Sequence, residues 1–130
     1  MKQIQVMLFA VMALVSMVGY GQESATEEQK ITDLIKNLAV LTDLADGCGE
    51  QMNYYGKKAL QGKLCNQFKS DFAAQWPSRE ALQEVVVDYT VRLDKGTLQC
   101  GNCRLVLQRV EELRITLIYY LDYMDYMKEL

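Results

Sequence analysis

The chain contains no histidine, and its 130 residues include a single proline, Pro77. Without an imidazole it cannot hold a Ser-His or Cys-His catalytic pair, and it has no histidine ligand for a metal or a haem iron. No alternating run of β-branched residues is long enough to predict a sheet, and the one β-rich spot, residues 85–87, lies inside a helical pattern. We therefore predict no catalytic residue, no metal and no cofactor, in a chain without strands.

One long apolar run is present, at the beginning of the chain. Lys2 supplies a positive charge, residues 4–18 are apolar, and Gly19-Tyr20-Gly21 places small residues around a cleavage point. This order is typical of a secretory signal peptide, here residues 1–21. The run is shorter than the roughly 20 apolar residues of a membrane-spanning helix, and retention as an uncleaved anchor is the alternative. We expect a periplasmic or secreted protein with a single helical domain, residues 22–130.

Neither sign of charge dominates, because 14 basic residues are set against 17 acidic ones for a net charge of −3. Loss of Lys2 with the leader makes the remaining domain slightly more acidic. A mildly acidic chain with interspersed signs has little electrostatic attraction for nucleic acid or for an anionic membrane. We therefore predict a protein partner or a homodimer, with no nucleic acid and no stable membrane insertion once the leader is removed.

The first helix has a clear start and an ambiguous end. Thr26 and Gln29 fit a capping box. Two apolar series then repeat every seven residues for four heptads: Ile31, Leu38, Ala45 and Met52, and Leu34, Leu41, Cys48 and Tyr55. This pattern passes through Gly47 and Gly49, each of which disfavours a helix by about 1 kcal/mol. The helix either stops at Gly47 or reaches Tyr55 with Gly56 as its C-cap. We favour the longer helix, because a terminating loop has no reason to keep the register.

Three further helices follow from similar signals. The second is predicted over residues 57–74 with Leu64 in the core. Trp76-Pro77-Ser78 marks the break before the third helix, with Ser78 as its N-cap. The third ends at Gly96, and the fourth runs from Cys103 to the end of the chain with an unbroken apolar seam. Short connections favour antiparallel neighbours. The predicted fold is all-α: an antiparallel (up-down) four-helix bundle with a long C-terminal helix, stapled by disulfides.

Four cysteines in an exported protein indicate two disulfides. If the chain folds back beside Gly56, Cys48 and Cys65 face each other in a helical hairpin, and Cys100 and Cys103 close on each other. The alternative cross-links the two regions, with Cys48 or Cys65 bonded to Cys100 and Cys103, because both regions are expected at the same end of the bundle. A reactive C-x-x-C at a helix N-terminus is a further hypothesis, although the βαβ setting of thioredoxin-type motifs is missing.

Tyrosines form a second apolar stripe on the fourth helix. Tyr119, Tyr123 and Tyr126, with Ile115 behind them, recur at i, i+4 and i+7, away from the main seam. A helix that is apolar on two faces either lies at the centre of its bundle or presents one face to a partner. Tyrosine suits a partner face because it covers area at little rotamer cost and keeps a polar tip. These three residues and Tyr54, near the hinge, are the candidate partner-binding residues.

The leading functional hypothesis is a secreted or periplasmic, non-enzymatic protein-binding module of the inhibitor or immunity type. In size, leader and helicity the chain is similar to periplasmic helical immunity proteins, without a motif that carries the likeness. One alternative is a structural, self-associating helical protein. The other is a thiol–disulfide redox protein that uses Cys100 and Cys103.

Overall fold

Four α-helices account for most of the chain in the computed structural model, which describes residues 26–130. They are α1 (Glu27–Tyr55), α2 (Lys63–Gln75), α3 (Arg79–Asp94) and α4 (Cys103–Glu129), with a 3-10 segment, Gly56–Gln61, between α1 and α2. No strand occurs among these residues, so the predicted all-α class with four helices is confirmed. The predicted signal peptide, residues 1–21, lies outside the described residues.

Both ends of α1 follow from local chemistry. The Gln29 backbone N–H donates to the Thr26 side-chain oxygen at 3.0 Å, and Glu27 and Glu28 occupy the positive end of the helix dipole. The helix ends at Gly56, whose φ of 68° is a backbone conformation that favours glycine. The prediction of the longer helix is therefore confirmed.

Two glycines inside α1 let neighbouring helices approach on two sides. A Cβ atom on Gly49 would collide with the ring of Tyr120 in α4, and one on Gly47 would lie 3.2 Å from Cδ1 of Leu64 in α2. The helix thus accepts a loss of propensity of about 1 kcal/mol at each glycine in exchange for close contact with both partners. The glycines are packing sites and not a helix end.

The segment after α1 differs from the prediction in detail. A helix was expected from Lys57, but the chain forms a 3-10 turn, becomes extended at Gly62, and only then enters α2 at Lys63. Leu64, expected in the core, is exposed and covers Gly47. Phe68 and Phe72 supply the buried face of α2.

α2 runs antiparallel to α1. The side chain of Gln75, at the end of α2, hydrogen-bonds Asn37 in the first half of α1, and Cys65 lies opposite Cys48 near the other end. The hairpin expected beside Gly56 is therefore present.

α4 runs in the same direction as α1. Tyr120 packs on Gly49, the Tyr123 hydroxyl donates to Asn53 Oδ1, and Met127 approaches Gly56. Residue numbers therefore increase in the same direction along the two helices, which are parallel. The ion pair between Glu27 and Arg92 also places the end of α3 beside the start of α1.

The helix directions do not confirm the predicted up-down alternation, because α2 and α3 both run opposite to α1 and α4. The Arg79 guanidinium at the start of α3 pairs with Asp122 and Asp125 near the end of α4, so α3 runs antiparallel to α4. α2 has 13 residues and α3 has 16, against 29 in α1 and 27 in α4. At 1.5 Å per residue each short helix covers only part of the long helix on which it packs. The chain therefore crosses from α1 to α4 at the break around Pro77 and keeps its direction.

The core lies chiefly between α1 and α4, with α2 packed on α1 and α3 packed on α4. It contains the heptad residues of α1 other than the half-buried Leu34 and the exposed Tyr55. The seam of α4 and a few side chains of each short helix complete it. The side chains that are almost wholly inaccessible include Ile31, Leu38, Leu41, Met52, Phe68, Leu82, Val110 and Leu117.

The four cysteines form two pairs at disulfide distance. The Cα atoms of Cys48 and Cys65 are 4.5 Å apart, and those of Cys100 and Cys103 are 5.4 Å apart. Both values lie in the range of about 4.4–6.8 Å that a disulfide requires. This is the favoured pairing, and the alternative that joins the two regions is not the one observed.

Candidate interaction surface

Three tyrosines line one exposed face of α4, and we call Tyr119, Tyr123 and Tyr126 the tyrosine ladder. Tyr119 and Tyr123 stack with ring centroids 6.2 Å apart and an interplanar angle of 25°, and Tyr123 and Tyr126 stack at 6.5 Å and 18°. Tyr119 and Tyr126 are each 61% exposed, whereas Tyr123 is half-buried. The two outer rings of the ladder therefore lie outside the core.

This exposure follows from the periodicity of α4. Its seam residues face α1 and are buried, among them Val110, Leu113, Leu117, Leu121 and Met124. At 100° per residue the ladder lies well away from that seam. Ile115, predicted behind the ladder, is exposed as well. α4 thus has an apolar face that the described elements leave largely exposed.

The middle rung is fixed to the neighbouring helix. The Tyr123 hydroxyl donates a hydrogen bond of 2.8 Å to Asn53 Oδ1 near the end of α1. Because its ring also stacks on both neighbours, Tyr123 holds the exposed rings of Tyr119 and Tyr126 in a defined orientation. Contacts within the protein therefore hold the ladder in one arrangement.

Carboxylates of α1 border the ladder through Tyr120. Partial burial is the main cause that raises the pKa of the Tyr120 hydroxyl above its ordinary value, followed by its hydrogen bond to Asp46 and by the negative charges of Asp46 and Glu50. The Tyr120 ring also packs edge-on against Tyr119 at 5.2 Å. The aromatic face therefore lies next to negative charge.

Tyr54 occupies a separate position. It is 82% exposed at the end of α1, where its ring packs edge-on against Tyr55 with centroids 4.9 Å apart. Within residues 26–130 its aromatic contact is Tyr55 and not the ladder. The structure brings three of the four candidate tyrosines together. Tyr54 directly follows Asn53 in the sequence but lies outside the stack.

The described residues bear on two kinds of site, a metal centre and a reactive thiol. In the described part of the chain, no group of three or more His, Cys, Asp or Glu side chains is arranged to hold a metal ion. Cys103 at the start of α4 is 2% exposed, so its sulfur is hardly accessible to a substrate. No helix over residues 26–130 has the length and apolar character needed to cross a bilayer.

Sequence reasoning missed a groove on another side of the molecule. It lies between the 3-10 segment, α2, the segment around Pro77 and the end of α4. Its residues come from four separate parts of the chain, so no local pattern could reveal it. Lys57, which directly follows the helix C-cap Gly56, is one of its lining residues.

Comparison with protein-family models, curated proteins and solved structures finds no match for this chain.

Proposed function

We propose that this protein is an exported, non-enzymatic module that docks on another protein through the tyrosine ladder. The observation that carries the proposal is the exposure of Tyr119 and Tyr126, each 61%, in a fixed stack on a helix whose opposite face is already buried. Contiguous exposed aromatic area on a small domain is typical of a binding surface.

The geometry of the ladder favours affinity at low entropic loss. Binding normally orders side chains at a cost of about 0.5–1.5 kcal/mol for each rotamer-rich group. The hydrogen bond from Tyr123 to Asn53 and the two ring stacks restrain these rings in the free protein. Most of that ordering is therefore complete before the partner arrives.

The charges around the ladder favour a basic partner surface. Asp46 and Glu50 lie close enough to Tyr120 to raise its pKa, and the whole chain carries a net charge of −3. Arginine is the side chain that stacks best on tyrosine rings while pairing with nearby carboxylates. We expect the partner to present arginine or lysine together with apolar area.

Self-association through the same face has less support. A two-fold dimer would place this surface against its own copy, because the same patch is used on both subunits. Asp46 and Glu50 of one copy would then approach the same carboxylates of the other. An unlike, basic protein avoids this repulsion.

Two disulfides complete the proposal, since export places the paired cysteines in an oxidising compartment. The Cys48–Cys65 bond would tie α2 to α1, and the Cys100–Cys103 bond would brace the start of α4. A redox role for the second pair has less support, because Cys103 is almost wholly buried in the core. The up-down description is not retained; the proposed bundle has α2 and α3 together opposing α1 and α4.

The test uses partner capture followed by affinity measurement. The folded domain is immobilised and exposed to an envelope extract, the retained protein is identified by mass spectrometry, and its dissociation constant is measured in pure form. We expect the double variant Tyr119→Ser/Tyr126→Ser to weaken binding at least about tenfold, because central tyrosines are frequent hot spots.

The control is Val40→Ser on α1. Val40 is also 61% exposed, but it lies on another helix, away from the ladder. It should leave the affinity unchanged. Equal loss of binding in the control and the tyrosine variant, or no loss in either, would contradict the proposed docking face.

A further inference from the structure

The groove between α2 and the end of α4 has an apolar floor. Its volume is about 660 Å³, and its floor is formed by Leu60, Phe72, Trp76, Leu121 and Met124. This volume lies within the range of about 300–1,000 Å³ that is common for small-molecule sites. The groove shares no residue with the tyrosine ladder.

The groove exists because the two short helices pack on different partners. α2 lies on α1 and α3 lies on α4, so the chain separates them around Pro77 and leaves space between α2 and α4. The wall at this point is fixed, because the Trp76 indole N–H donates to Asn37 Oδ1 of α1 at 3.3 Å. The space is thus part of the fold and not a gap between loose side chains.

The rim of the groove is basic in an otherwise acidic chain. Lys57, Lys69 and Lys128 line it, and none of them has a carboxylate partner within 4.0 Å among residues 26–130. The remaining cation, Arg79, is already neutralised by Asp122 at 3.0 Å and Asp125 at 2.7 Å. Glu80 also lines the groove, so its lining carries four cations and two carboxylates, Glu80 and Asp125, for a net charge of +2.

We propose that this groove binds a single-chain amphiphile with an anionic head, such as a long-chain carboxylate. The alkyl chain lies on the apolar floor, where its removal from water is favourable. The head lies among Lys57, Lys69 and Lys128, which attract a carboxylate electrostatically. An acidic amphipathic helix has the same chemistry, but the volume suits a small molecule better than a folded peptide.

The test is a calorimetric titration of the disulfide-bonded domain with dodecanoate below its micellar concentration. We expect saturable binding at one site. The triple variant Lys57→Gln/Lys69→Gln/Lys128→Gln should weaken it by about tenfold, because several exposed charge pairs are lost together. The control variant Lys36→Gln/Lys63→Gln/Lys95→Gln makes the same change in net charge at exposed lysines that do not line the groove. It should bind as well as the parent protein.

A second variant tests the apolar floor. Ala73 lines the groove from α2 and is exposed, so Ala73→Trp fills the space without touching the core. We expect it to abolish dodecanoate binding while the circular dichroism spectrum and the thermal midpoint stay close to those of the parent.

Comparison of dodecanoate with other probes identifies the head-group chemistry. Dodecyltrimethylammonium, which has the same chain and a positive head, should bind at least about tenfold more weakly than dodecanoate. Equal binding of the two ligands would overturn the proposal, as would equal loss in the two lysine variants. Binding only to phosphatidylglycerol vesicles, or only to an acidic helical peptide, would also overturn it and would assign the groove to a membrane surface or to a protein.

Discussion

The hairpin of α1 and α2 and the helix α3 differ sharply in how much apolar side chain each of them buries. α1 alone buries seven residues, and α2 adds three in only 13 positions. α3 buries two residues, Leu82 and Val86, in 16 positions, and exposes Val87 and Val91. The hairpin also contains the buried Cys48–Cys65 pair. Because local stability follows buried apolar contact, we expect α3 to open well before the hairpin does.

Removal of a cysteine pair should change the free energy of unfolding more than the other substitutions that test this comparison. Loop-closure entropy gives about 3 kcal/mol for the Cys48–Cys65 loop and about half of that for the much shorter Cys100–Cys103 loop. We expect Cys48→Ala/Cys65→Ala to lower the free energy of unfolding more than Cys100→Ala/Cys103→Ala does. Urea unfolding of both double variants gives the values. Equal losses would mean that the hairpin is not the firmer region.

The two glycines of α1 provide the next largest contrast. Gly49→Ala should destabilise by about 1–3 kcal/mol, because the new methyl group meets the ring of Tyr120 on a packed interface. Gly47→Ala meets only Leu64, an exposed side chain that can move, so the gain in helix propensity of up to about 1 kcal/mol should prevail. Thermal unfolding decides the signs. Similar changes in the thermal midpoint of the two variants would show that α4 does not pack closely against α1 at Gly49.

Alkaline pH gives a smaller effect that involves both regions. Burial raises the pKa of Tyr120, between α1 and α4, and also that of Tyr89 on α3. The unfolded chain releases these protons near pH 10, before the folded chain does, so stability is lost as the pH rises from about 10 through the folded pKa. We expect the unfolding free energy to fall less steeply above pH 10 in Tyr120→Phe and in Tyr89→Phe than in the parent.

The measurement for this prediction is urea unfolding at pH 9 and at higher pH, with each variant compared with the parent at both values. Phenylalanine keeps the aromatic ring in both variants. At position 89 it therefore keeps the contact with Arg92, whose guanidinium carbon lies 5.5 Å from the ring centroid. The same fall in all three proteins would show that neither hydroxyl is held in its neutral form by the fold.

The smallest expected effect concerns the outer face of α3. Val87→Ser/Val91→Ser should change the unfolding free energy by no more than about 0.5 kcal/mol, because both side chains are exposed in the folded protein. Leu82→Ala in the same helix should cost about 2–4 kcal/mol, since Leu82 is fully buried. A large loss for the double valine variant would mean that this face is covered in solution, and sedimentation would then reveal an oligomer.

Much of the secondary structure was predictable because local chemistry decides it. Thr26 and Ser78 cap their helices as expected, and the heptads carry α1 through two glycines. The direction of α3 was not predicted, because Pro77 marks where a helix must break but not the angle of the next one. That direction depends on tertiary packing, since α2 packs on α1 whereas α3 packs on α4.

The candidate surface was predictable only in part. The spacing of Tyr119, Tyr123 and Tyr126 located a second apolar face, but periodicity could not decide whether that face was covered. Coverage depends on where α1 and α3 lie around α4, which is a matter of tertiary packing. The hydrogen bond from Tyr123 to Asn53 joins residues 70 positions apart, so no local sequence pattern predicts it.

The most direct measurement of the docking proposal is a nuclear magnetic resonance titration of the folded domain with a hexa-arginine peptide at low salt. We predict that the ring resonances of Tyr119, Tyr123 and Tyr126 shift first and most in the parent protein, that the shift of the Tyr123 ring is lost in Tyr119→Ser/Tyr126→Ser, and that Val40→Ser leaves all three shifts unchanged. Shifts spread over the acidic residues of the whole surface, the same in all three proteins, would contradict a docking role for the tyrosine ladder.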